Sequence, residues 1–99
     1  MAGYSSLESV RQYGLNKNIS ASGLVATGTG TVQAIIVASH TNGTIKLWDN
    51  TAGSGTVLVN TYTYATGSQT IPLWGAKFLT GLYADMNSTT QDITIIYNV

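Results

Sequence analysis

Cysteine is absent from the chain, which excludes disulfides, thiol catalysis and thiolate-bound metal. Charge is scarce: four basic and four acidic side chains make up 8% of the 99 residues and cancel each other. An ordinary soluble domain carries roughly 25% charged residues. No face can hold the basic footprint that nucleic acid or an anionic membrane demands, so neither is expected as a partner. Histidine occurs once, as His40, so no His pair exists to ligate a metal. The acids Glu8, Asp49, Asp85 and Asp92 are scattered, without the spacing of a calcium loop. No metal and no cofactor are expected. No run is long and apolar enough to cross a bilayer. The N-terminal Met1–Ser6 lacks the basic region and apolar core of a secretory signal, so synthesis in the cytoplasm is expected.

Catalysis finds little to work with. His40 could act as a base for a serine, but it precedes Asn42-Gly43, a strong turn signal, and reads as a turn residue. Asp49 and Asp92 adjoin turns, where carboxylates commonly accept backbone amides. The glycines Gly28 and Gly30 lack the third glycine and the helix of a dinucleotide fingerprint. The Asn-x-Ser/Thr triplets at Asn18, Asn42 and Asn87 are what an Asn-, Ser- and Thr-rich chain produces by chance. The chain is expected not to be an enzyme.

What remains is β-structure. Hydrophobic residues make up 43%, enough for one core in one domain. Leu24–Ala26 reads as a short strand. Thr31–Ser39 reads as a central strand covered on both faces, since Val32, Ile35, Ile36 and Val37 fall on both. Asn42-Gly43 predicts a tight hairpin into Thr44–Trp48, where Ile45 and Leu47 share one face and Lys46 and Trp48 the other. Thr56–Tyr64 predicts the longest strand, with Val57 and Val59 on one face and Leu58, Tyr62 and Tyr64 on the other. Ile71–Trp74 is extended, and Pro72 assigns it to an edge or a crossover. Phe78–Met86 and Ile93–Tyr97 complete the set. About six to eight short strands with regular turn signals predict an all-β fold, an antiparallel β-sandwich of jelly-roll-like type.

The beginning of the chain differs. Residues 1–18 hold two of the four basic residues, Arg11 and Lys17, and lack strand alternation. Ser5 and Glu8 have capping-box spacing, but Gly14 would end a helix early. Residues 1–18 are therefore expected to form an extended N-terminal arm ordered by docking, with Tyr4, Leu7, Val10, Arg11 and Tyr13 as contacts. Residues 19–99 are expected to form the β-sandwich.

The aromatics favour contact surfaces. Two Trp and six Tyr stand beside one Phe. Such rings suit half-wet interfaces, and a surface poor in charge does little to keep copies apart. If the valines of Thr56–Tyr64 face the core, then Leu58, Tyr62 and Tyr64, with Trp48 beside them, face a second copy in a dimer or trimer.

Two thirds of the chain carries a resemblance. Its residues are Gln33-Ala34-Ile35-Ile36-Val37, then Gly43-Thr44-Ile45-Lys46-Leu47-Trp48-Asp49-Asn50-Thr51, then Gly53–Val59, then Phe78-Leu79-Thr80-Gly81-Leu82-Tyr83-Ala84. In this order they resemble small virion proteins of tailed bacteriophages, which serve as capsid decoration (cement) proteins or as parts of head fibres and tails. The resemblance implies a β-sandwich or jelly roll, no enzymatic activity, and attachment to the major capsid protein at the capsid surface. The alternative it leaves open is a fibre or tail component that binds a host surface glycan.

Overall fold

The computed structural model describes residues 14–99, which form eight strands. They are β1 (Leu15–Ile19), β2 (Gly23–Thr27), β3 (Gly30–His40), β4 (Thr44–Asp49), β5 (Thr56–Thr63), β6 (Gln69–Phe78), β7 (Gly81–Met86) and β8 (Gln91–Asn98). Two four-stranded antiparallel sheets result, one in the order β1-β8-β3-β6 and the other in the order β2-β7-β4-β5. Apolar side chains from both sheets meet in one core. Val32, Ile35, Val37, Phe78, Ile93 and Ile95 come from the first sheet, and Val25, Ile45, Leu47, Leu82, Ala84 and Met86 from the second. Each large side chain so enclosed contributes roughly 1.5–3 kcal/mol.

The arm residues Tyr4, Leu7, Val10, Arg11 and Tyr13 lie outside the described residues. The expected boundary at residue 19 does shift. Leu15–Ile19 pairs with β8, Leu15 opposite Tyr97 and Ile19 opposite Ile93, so residues 15–18 belong to the sandwich. The sequence conceals this because β1 is an edge strand whose middle residues, Asn16, Lys17 and Asn18, are all exposed and polar.

Neighbours in sequence are seldom neighbours in a sheet. The pairs are β1 with β8, β2 with β7, β3 with β6 and β8, and β4 with β5 and β7. The hairpin expected at Asn42-Gly43 is therefore a crossing between sheets, because β3 and β4 belong to different ones. Asn42 takes the left-handed conformation, φ 51°, but Gly43 does not. Gly43 is needed for room: a Cβ there would stand 2.9 Å from Gln91 Cδ and from the Tyr64 ring.

β3 is central, as its composition predicts, but only one of its faces is covered. Val32, Ile35 and Val37 are fully enclosed while Ile36 is 41% exposed. A bulge explains the spacing. β3 advances from Val32 to Ala34 while β8 moves one residue, from Tyr97 to Ile96, so Gln33 is the extra residue and Ile35 returns to the inner face.

The strand expected over Phe78–Met86 is broken in two by a turn at Leu79-Thr80. The cause lies far away in sequence. Both Asp49 carboxylate oxygens accept the Leu79 amide at 3.0 Å, and Oδ1 also accepts those of Thr80 at 2.8 Å and Gly81 at 3.3 Å. Gly81 is required here, since a Cβ would lie 2.8 Å from the Asn50 carbonyl oxygen.

β6 forms an edge, in keeping with Pro72. It also carries the largest irregularity. β3 advances two residues, Val32 to Ala34, while β6 advances four, Ala76 to Pro72. The excess is taken up at Trp74 and Gly75, with φ of 51° and 76°. Trp74 is 84% exposed. A bulky side chain in the left-handed region costs about 1–3 kcal/mol.

Candidate functional site

Four strands bring one apolar row together on the outer face of the second sheet. Leu24 is opposite Tyr83, Tyr83 opposite Trp48, and Trp48 opposite Val57. Facing partners in a sheet project to the same side. On β4 and β7 the inward residues are Ile45, Leu47, Leu82 and Ala84, so Trp48 and Tyr83 project outward. The row crosses β2, β7, β4 and β5 from edge to edge, with Leu24 38% and Val57 42% exposed at its ends.

A polar pair borders the row, Lys46 opposite Asp85. Both act on the indole. Trp48 Nε1 donates to Asp85 Oδ2 at 3.0 Å, and Lys46 Nζ stands 4.3 Å from the ring centroid. One bond holds the indole edge and the cation covers one ring face, a geometry that orients the ring before any contact forms. The β4–β5 loop closes part of the same face. Asn50 Nδ2 donates to the Ser54 carbonyl at 2.7 Å, and a Cβ at Gly53 would lie 3.3 Å from Tyr83 Cε1.

Of the contact patch expected from Trp48, Leu58, Tyr62 and Tyr64, the two tyrosine rings meet, 6.4 Å between centroids, but the four residues do not share one outer face. β5 carries two irregularities, between the pairs Ile45–Tyr62 and Leu47–Val59 and between Leu47–Val59 and Trp48–Val57. Each extra residue reverses the faces beyond it. Val57 consequently joins Trp48 on the outer face, and Val59 joins Leu47 on the inner one. Leu58 is half-buried against the core, and Tyr64, at 5% exposure, is part of it. Tyr62 is exposed but stands opposite Ile45, at the other end of β5 from Val57. Tyr83, Leu24 and Val57 were missed. Tyr83 was legible, since it alternates with the apolar Leu82 and Ala84.

The titratable residues have structural tasks. His40 Nδ1 accepts the Gly43 amide at 3.0 Å, which leaves Nε2 to donate to the Ala65 carbonyl at 2.6 Å. The ring thereby ties the β3–β4 crossing to the β5–β6 loop and meets Tyr64 edge-on, 5.0 Å between centroids. Asp92 accepts from Asn18 Nδ2 at 2.7 Å. Among the described residues no three His, Asp or Glu side chains gather as metal ligands.

Asp49 is held below its ordinary 3.8, chiefly by the Thr80 amide; desolvation is the next effect and opposes it, and the amides of Leu79 and Gly81 lower it further. The native chain therefore binds this proton more weakly than the unfolded chain. The stabilisation is complete above pH 3.8 and is lost as pH falls through the lower, folded value. Thermal midpoints followed from about pH 5 to about pH 2 should drop for the native chain. Asp49→Asn should begin lower and lose this part of the acid dependence. Parallel curves for the two proteins would show that the carboxylate does not hold the turn.

The chain matches no protein-family model, no curated protein and no solved structure.

Proposed function

We propose that the protein is a structural virion component of the decoration type, which lies on a shell of major capsid protein and reinforces it. The observation that carries the reading is the apolar row Leu24–Tyr83–Trp48–Val57, laid across an entire sheet face of a chain with only 8% charged residues. Fully desolvated aromatic anchors with a polar border are the usual make-up of the centre of a protein interface. Trp48 is held in place by Asp85 and Lys46, so little side-chain freedom is lost on contact.

The fold supports the same reading. The strands pair as β1 with β8, β2 with β7, β3 with β6 and β4 with β5, and the sheets read 1-8-3-6 and 2-7-4-5. A long antiparallel hairpin wrapped into two sheets gives this order, and we read it as a jelly roll, an architecture common among viral capsid and lectin domains. Fold alone does not assign function. The row and the resemblance to phage virion proteins supply the rest. The row is assigned to the shell, and neighbouring copies are held side by side by the lattice.

Purified protein should co-sediment with shells assembled without it and raise the temperature at which those shells open. Shells that neither retain the protein nor gain heat resistance would refute the reading.

A further inference from the structure

We propose that the bulge at Trp74-Gly75, with the Gln33 carboxamide beside it, is a stacking subsite for a neutral pyranose glycan. This rests on different residues from the shell-binding row and stands or falls separately from it.

Trp74 is 84% exposed and left-handed, so its own fold gains little from a side chain whose backbone it must hold in a disfavoured conformation. The return has to come from outside the described residues. Its indole is also the one of the two that keeps its faces open. Trp48 carries Lys46 over its ring and donates Nε1–H to Asp85. An open indole face is what the C–H face of a pyranose stacks upon.

The surroundings suit hydroxyl groups. Gln33, the bulge residue of β3, lies against Gly75, its Oε1 3.5 Å from where a Cβ would stand. Its Nε2 donates to Thr31 Oγ1 at 2.8 Å, which fixes the amide beside Gly75 in the bulge. β3 and β6 carry no acid, and Lys77 is their single Lys or Arg. A partner protein adding a strand to this edge is disfavoured, because Pro72 offers no amide and the bulge breaks the register. Stacking on the ring needs neither.

The test uses an immobilised array of neutral hexose and N-acetylhexosamine oligosaccharides. The strongest binder is then titrated, up to about 10 mM, into ¹⁵N-labelled protein while both indole N–H resonances are followed. The Trp74 resonance should shift saturably and that of Trp48 should stay in place. Trp74→Gly removes the ring and suits a positive φ, so it should fold with an unchanged or higher melting temperature and bind at least about tenfold more weakly. Gln33→Ala should weaken binding while leaving the stacking shift. An array without a neutral hit overturns the proposal, as does equal retention of the Trp74→Gly protein or a shift confined to Trp48. Quencher protection of Trp74 that appears only when shells are added would instead make it a protein anchor.

Discussion

Leu24→Lys combined with Val57→Lys should abolish attachment to shells while leaving the sandwich folded. Both residues lie at the ends of the apolar row and on the edge strands β2 and β5, 38% and 42% exposed. At such positions a lysine can lay its stem along the sheet and keep its ammonium in water, so the cost to folding is small. The cost to binding is large, because a charge enters each end of the row, which the contact must desolvate. Losing an interface anchor typically costs roughly 2 kcal/mol or more. Two such losses amount to about 4 kcal/mol, near a thousandfold in affinity. Sedimentation with shells measures the loss, and circular dichroism reports the fold. Undiminished binding by the double variant would remove the row from the interface.

Tyr64 separates packing from hydrogen bonding. Its ring belongs to the core, against His40 and Gly43, but its buried hydroxyl has no hydrogen-bond partner among the described residues. Tyr64→Ala should cost about 3–5 kcal/mol, the range for a large ring lost from a core. Tyr64→Phe keeps the ring and removes an unpaired polar atom, so it should raise stability by about 1 kcal/mol. Burial also pushes the phenol up from 10.0 to about 12. The neutral form is the one the fold favours. Its contribution is therefore complete below pH 10 and declines as pH rises through about 12, and Tyr64→Phe should lose that alkaline decline. Chemical denaturation of the three proteins at neutral and alkaline pH decides it. A destabilised Tyr64→Phe protein would mean that the hydroxyl does make a bond.

The same residues show what could be read from the sequence. Ile45 with Leu47 on one face, Lys46 with Trp48 on the other, and Pro72 on an edge or a crossover all follow from local alternation or from a missing amide; the fold turns the first pair inward and puts Pro72 on an edge. The face assignments on Thr56–Thr63 failed because two irregularities shift its register, and an extra residue leaves no mark in composition. The break at Leu79-Thr80 depends on Asp49, some thirty residues away. Asn42-Gly43 carries the local signature of a tight hairpin, yet Gly43 answers to crowding by Tyr64 and Gln91. Of the contact residues, Trp48 was legible with its own strand. Its association with Leu24, Tyr83 and Val57 is set by the strand order, since β2 and β7 lie far apart in sequence. Strand order is a long-range property that no window of residues contains.

The outward direction of the second sheet is therefore the point on which the functional reading turns, and one cryo-EM map of the protein on its particle measures it. The expected map has the β2-β7-β4-β5 sheet lying on the shell, with Trp48 and Tyr83 enclosed at the contact and the Trp74 bulge on β6 facing solvent. A map in which Trp48 and Tyr83 face solvent, or in which the particle carries no density for the chain, would contradict it.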